Sequence, residues 1–456
     1  MPMTDLTKGS IAGHIVSLAV PIFGSTMTFM LWLLVDMYFV AVIGKAAVAG
    51  VGAAGNVSFL TSALTLVLSA GTMALVAQAV GRKDRPGAVL VFNQSLGLAV
   101  ICGALVLVGG LMLAPSYMRS VAADDMIVEA GTTYLFWVMP ALACQFVTAV
   151  IASALRGTGV VRPVVIIQVL SVLVNIGLAP LLIGGWGGIQ GLGVAGAGLA
   201  TSLAAVMNLV MLCAYFRNSA RYVSVDRKQL HPHIEQWRRI LTIGLPAGAE
   251  LAFTFVYVAA IYYALSSFGP AAQAAFGIGS RVFGAIQVPA MAVALAVGPI
   301  TGQNLGAANG DRIKETFKSA ALMGSALMAA VTIFIQWRPE LLLWPFSNDP
   351  LTVAIGTVFL RLISLNLVAQ GLILVCSGMF VGLGNTVPVL ISSGVRLITY
   401  AAPVMWLSAQ PYFRLEHIWY LSIATTTLQA ILCLVLLRLE LGTRFGKSRP
   451  PGHRLR

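Results

Sequence analysis

Two carboxylates in this sequence sit where water is scarce. Asp36 lies in the run IAGHIVSLAVPIFGSTMTFMLWLLVDMYFVAV, residues 11–42, and Glu250 lies in another apolar run that starts near residue 240. Of the 15 acidic residues, only these two are deep in apolar runs. An acid in such a segment costs roughly 2.5–3.5 kcal/mol to insert into hydrocarbon, so it persists only facing a cavity or a partner. At helical spacing Asp36 shares a face with Phe29, Trp32 and Val40. Glu250 shares one with Pro246, Phe253, Thr254 and Tyr257. A carboxylate beside aromatic faces suits an organic cation, held by charge and by the ring quadrupoles. The same group can take a proton instead, and holding one or the other provides exchange. Alternatively, each acid pairs with one of the intramembrane arginines Arg281, Arg361 and Arg396, which can also bond carbonyls or snorkel to an interface.

Other polar groups are weaker signals. Asn175 and Thr201 lie within apolar runs, where helix–helix hydrogen bonds worth about 0.6 kcal/mol are the plainer role. Gly191-Leu-Gly193-Val-Ala-Gly196 fits a dinucleotide fingerprint but follows no strand, which makes it a packing or turn element. The five cysteines fall in apolar segments without metal or disulfide spacing. No Walker motif is present, and no catalytic groups cluster at one membrane face. Direct ATP coupling, an enzyme and a resident cofactor are therefore not expected.

The elements that must hold these groups are membrane helices. Hydrophobic residues make up 58% of the 456-residue chain and charged residues 9%, against about 25% charge in soluble domains; mean hydropathy is +0.90. Twelve apolar runs can be marked: 11–42, 46–80, 88–114, 127–152, 163–185, 189–216, 240–267, 271–304, 316–337, 351–379, 386–409 and 416–438. Each reaches or exceeds the ~20 residues that cross a bilayer. The net charge of +13 comes from Lys and Arg in short loops and a tail, a topology signal rather than a nucleic-acid footprint. With the N-terminus cytoplasmic, only Lys45, Arg119, Arg338 and Arg414 fall in outer segments, which predicts both termini inside. The N-terminus lacks the basic start and cleavage site of a signal peptide, so the first helix is expected to act as the targeting element.

The chain also repeats. A gapless shift of 225 residues places Pro21 on Pro246, Gly44 on Gly269, and Gln78-x-x-Gly81 on Gln303-x-x-Gly306. It also places Gly157-x-Gly159 on Gly382-x-Gly384 and Pro163 on Pro388. Glycine and proline fix backbone turns, so their register reports architecture rather than composition. The expected fold is an all-α polytopic membrane protein with twelve transmembrane helices in two pseudo-symmetric six-helix lobes. Residues 1–216 form an N-lobe, 217–239 a cytoplasmic connecting loop, 240–440 a C-lobe and 441–456 a basic cytoplasmic tail. Parallel repeats of this kind place a binding site at the repeat interface.

In order and spacing, several fragments resemble the MATE (multidrug and toxic compound extrusion) transporters over essentially all twelve spans. They are Val35-Asp36, Gly244-Leu-Pro-Ala-Gly-Ala-Glu250, Arg281 in Gly-Ile-Gly-Ser-Arg, Gly302-Gln-Asn-Leu-Gly306, Ala154-Leu-Arg-Gly-Thr-Gly159, Asn175-Ile, and the segment from Gly191 to Thr201. The resemblance implies two lobes facing a cleft, and a secondary active multidrug antiporter of the inner (cytoplasmic) membrane. It would export small cationic, amphipathic compounds in exchange for H+ or Na+, as a monomer in lipid. Asp36 then matches the acid of N-lobe ion coupling, Asn175 an asparagine beside it that could share a Na+, and Thr201 a threonine near that cluster. Glu250 matches an acid early in the seventh span. Phe29, Trp32, Phe253 and Tyr257 join the two acids as expected substrate contacts, and Arg281, Gln303 and Arg396 as structural or gating groups. Ala179, one turn after Asn175, departs from the Asp of one branch and weakens a Na+ site, which needs several oxygens. Asn385, Val160 and Thr254 also replace frequent acids, which favours proton coupling. A flippase for a lipid-linked precursor is the alternative; it would want a strongly cationic cleft.

Overall fold

The computed structural model describes residues 4–186, 189–219, 222–344 and 349–445. The first half holds α1 (Ile11–Ile43), α2 (Lys45–Gly81), α3 (Arg85–Val121), α4 (Asp125–Gly157), α5 (Arg162–Gly184) and α6 (Val194–Ser219). Two-residue strands, β1 (Gly185–Trp186) and β2 (Ile189–Gln190), pair antiparallel between α5 and α6. The second half holds α7 (Ile234–Leu265), α8 (Pro270–Gly306), α9 (Gly310–Trp337), the one-turn α10 (Glu340–Leu343), α11 (Pro350–Ser364), α12 (Leu367–Leu383), α13 (Val387–Ser408) and α14 (Leu415–Phe445). Arg221 of the connecting loop, and Lys447, Arg449, Arg454 and Arg456 of the basic tail, lie outside the described residues.

Among the described residues eleven helices are long and apolar enough to span a membrane, and α11 with α12, taken together as one bent span, makes a twelfth. Within the apolar run marked over 351–379, α11 and α12 meet at 53°. Backbone freed inside a membrane needs other partners. Gln336 of α9 donates to the Arg361 carbonyl at 2.7 Å and the Ser364 hydroxyl at 2.9 Å, and Thr332 donates to the Ser364 carbonyl at 3.0 Å. The corresponding place in α4 is Pro140, where the Ser202 hydroxyl accepts from the Ala141 amide at 3.2 Å and donates to the Trp137 carbonyl.

The 225-residue register runs through the whole fold. Shifted by it, the bounds of α2 become those of α8. Both helices end on the same left-handed non-glycine, Lys83 and Ala308, each with φ 58°. The next amide closes the turn in both, Asp84 onto the Ala79 carbonyl and Asn309 onto that of Asn304, each at 2.9 Å. Gly159 and Gly384 likewise match at φ 78° and 74°, a conformation open to glycine at little cost.

Packing exchanges the first and seventh helices between lobes. Ile11, Ile15, Leu18, Ala19 and Ile22 of α1 are buried in a core with Ala292, Val293, Ala296, Val297 and Ile300 of α8. Ile240 and Ile243 of α7 enter the core formed by α2, α3 and α4. Their later halves return home, with Val40 among α2, α4 and α6 and with Tyr257 and Ile261 among C-lobe residues. The lobes are thus sewn together at the end that carries the N-terminus. Further along, Phe59 of α2 and Phe255 of α7 meet across them, ring centroids 5.6 Å apart and both rings exposed.

Candidate functional site

Asp36 sits in the last third of α1, turned into the N-lobe and only 6% exposed. Its Oδ1 is buried and has no hydrogen-bond partner, and no arginine or lysine forms an ion pair with it among the described residues. One turn earlier the Trp32 indole donates to Asn175 Oδ1 at 2.5 Å, and the Asn175 amide donates to Thr201 Oγ1 at 3.4 Å. Thr201 in turn donates to the Ala197 carbonyl at 3.1 Å. Tyr134 of α4 lies within electrostatic reach of Asp36. The fold therefore brings Asp36, Trp32, Asn175 and Thr201 to one region of the lobe from α1, α5 and α6. Ala179 is buried beside it and adds no oxygen. Phe29 sits at the margin, 44% exposed, its ring 5.1 Å from that of Trp32.

Glu250 is half-buried in α7, where Ser393 donates to its Oε1 at 3.5 Å. Gln429 donates to that Ser393 hydroxyl at 3.0 Å, and Arg396 donates to Gln429 Oε1 at 3.3 Å. The Arg396 guanidinium lies 4.1 Å over the Tyr257 ring. Tyr257 meets Tyr400 at 4.5 Å between centroids, and its hydroxyl shares a 2.8 Å hydrogen bond with Ser422, which also accepts from Asn366 at 3.3 Å. Glu250 thus ends a polar chain that crosses the C-lobe from α7 through α13 to α14, without an ion pair to Arg396 among the described residues. Tyr257 departs from its expected role as a substrate contact. It is 8% exposed, and its ring face is already covered by Arg396. Phe253 is half-buried against Gly394. Of the other arginines, Arg281 is exposed and Arg361 pairs with Glu340 at 3.6 Å.

The two acids are not copies of each other. The register pairs Asp36 with buried Ile261 and Glu250 with Ser25. In α7 coordinates they differ by eleven positions, roughly 16 Å along a helix axis at 1.5 Å per residue. The closed end, by contrast, is symmetric. Gln78 donates to the Gly382 carbonyl at 3.1 Å, and its counterpart Gln303 donates to the Gly157 carbonyl at 3.0 Å. Gly81 lies against the Gln303 carbonyl, and Gly306 against that of Gln78, so closely that any β-carbon would collide. The segment before α1 joins this seam: the Leu6 amide donates to Gln303 Oε1 at 2.9 Å, and Arg312 donates to the Gly9 carbonyl at 3.0 Å.

Two six-span lobes, closed by backbone contacts at one end and carrying isolated acids within, define a two-lobed membrane transporter. The sequence matches the MatE family over residues 21–181 and 246–407, most of both halves. The chain belongs to that family, which makes it a multi-pass membrane transporter and not an enzyme. It is 24% identical to the probable multidrug resistance protein NorM of Thermotoga maritima, over 88% of this chain and 86% of that one. It is 26% identical to the probable multidrug resistance protein YoeA of Bacillus subtilis, over 64% of this chain and 65% of that protein's length. A relative from Shewanella oneidensis named as an FAD transporter is 24% identical over 76% of each chain. In structure it matches an outward-facing multidrug resistance MATE family transporter of the MOP superfamily, with TM-score 0.90, 24% identity, and 98% and 99% of the two chains covered.

Proposed function

We propose that the protein is a secondary antiporter that exports amphipathic organic cations in exchange for protons, with both termini in the cytoplasm of an inner-membrane location. The observation that supports this most directly is Asp36, whose buried oxygen has no donor while the Asn175 and Thr201 side-chain oxygens already accept hydrogen bonds. Asn175 Oδ1 takes the Trp32 indole, Thr201 Oγ1 takes the Asn175 amide, and Ala179 has no oxygen to give. A Na+ ion needs several oxygen ligands, whereas a proton needs one lone pair. Phe29 and the ring pair Phe59–Phe255 offer exposed aromatic surface for the organic cation. Rocking of the lobes would expose the acids to each side in turn. The flippase alternative is less well supported: of the three intramembrane arginines, Arg396 is bound within its lobe and Arg361 is paired with Glu340, which leaves Arg281 alone without such a partner among the described residues.

The test is efflux of a fluorescent organic cation from vesicles with pH and Na+ gradients imposed separately. The proposal expects a pH gradient alone to drive export, and Asp36→Asn to abolish it. Export driven by Na+ but not by pH would overturn the proton assignment. Normal export by both Asp36→Asn and Glu250→Gln would overturn the site.

A further inference from the structure

We propose that the C-lobe carries a binding site for an anionic phospholipid in the groove between α9 and α14. Both helices pack on α12 and make little contact with each other, which leaves a cavity of about 470 Å³ at the basic end of the bundle. Phe317, Leu434, Leu437 and Leu441 form its walls, and Lys314 and Arg438 stand among them. Gly310 closes one end against the Phe445 ring. Arg438 is exposed and carries no hydrogen bond or ion pair among the described residues, and Lys314 has only an exposed contact with Asp311 at 3.7 Å. Lys318 projects one turn further along α9, also exposed. The nearest acid on α14, Glu440, is engaged by Arg444 at 2.7 Å and Asn385 at 3.2 Å.

The repeat shows what this groove replaces. In the N-lobe the matching place is filled: Phe92, counterpart of Phe317, stacks on Phe216, counterpart of Leu441, with centroids 4.8 Å apart. The connecting chain then covers it. Asn93 donates to the Ser224 carbonyl and accepts from the Asp226 amide, each at 2.9 Å, and Gln94 accepts from the His233 amide at 2.9 Å. In the C-lobe the positions of Val89, Asn93 and Cys213 hold Lys314, Lys318 and Arg438. Three neutral positions, of which Asn93 binds the connecting chain's backbone, correspond to three cations above an apolar wall. Basic pockets of this kind bind acidic lipid head groups; the phosphate would lie between Lys314 and Arg438, and an acyl chain along Phe317, Leu434 and Leu437. Residues 446–456, which take the connecting chain's place in the repeat, include Lys447, Arg449, Arg454 and Arg456 and no acid. Their charge has the same sign as the groove, so the tail does not complement it.

The experiment uses the full chain in a neutral maltoside detergent. Thermal unfolding and native mass spectrometry would be followed with phosphatidylglycerol, phosphatidylcholine or inorganic phosphate added. Phosphatidylglycerol is expected to stabilise the protein by several degrees more than phosphatidylcholine and to remain bound. The Lys314→Gln/Arg438→Gln pair should weaken that binding about 30-fold, in line with the loss of two interfacial cations; Leu434→Trp, which fills the apolar wall, should block it with the cations intact. Arg217→Gln, a basic site of the other lobe, should leave binding unchanged. Equal protection by inorganic phosphate, an unaltered lipid preference in the double variant, or the same loss in Arg217→Gln would each overturn the proposal. So would a large gain in lipid affinity on removing residues 446–456, which would make the tail the resident of the groove.

Discussion

Asp36 occupies a position that stability alone would give to another residue. A buried carboxylate oxygen without a donor is unfavourable, so Asp36→Asn should keep or raise thermal stability while reducing coupled efflux at least about tenfold. Calorimetry beside vesicle efflux would check both outcomes. On the proposed mechanism Trp32 would protect the preference for protons by engaging Asn175 Oδ1. Trp32→Phe frees that oxygen, and Na+ is then expected to slow thermal unfolding of the variant but not of the parent. Asp36 and Glu250 were legible in the sequence because a lone acid in oil is conspicuous. Asn175 and Thr201 were legible through the family resemblance. The chain from Ser393 through Gln429 to Arg396 was not. Each member is unremarkable by itself, and its partners are tens to more than a hundred residues away. Arg396→Lys should destabilise the C-lobe by about 1–2 kcal/mol, because an ammonium has neither the planar face over Tyr257 nor the same reach to Gln429. Chemical denaturation in detergent would measure it.

The helices were legible from the lengths and punctuation of the apolar runs, and the repeat from glycine and proline register. The break between α11 and α12 was not, since no proline or glycine lies between Arg361 and Val368. It is maintained from outside, by Gln336 and Thr332 of α9. Gln336→Leu removes two of these hydrogen bonds and should cost about 1–3 kcal/mol, seen as faster backbone hydrogen exchange at residues 361–368. The crossing of α2 and α8 is equally specific. Gly81→Ala puts a β-carbon into the Gln303 carbonyl. The helices must separate, so the variant should populate the state open at the basic end. Cysteine labelling of Ala77 or Ala294, substituted in turn and both buried now, would report it as faster modification.

At the scale of the whole molecule, the acids are asymmetric and the seam is symmetric. On the proposed mechanism, transport asymmetry would reside in where each lobe holds its charge rather than in how the lobes meet. The duplicated seam has a mechanical corollary. Gln78 and Gln303 are two latches on opposite sides of one pseudo-axis, each grasping the other lobe's glycine carbonyl. A rigid rocking of one lobe away from the other at this end cannot free one hand while the other keeps its grip. Single-molecule distance measurements across this mouth should then dwell at two levels, with no lasting ajar state between them.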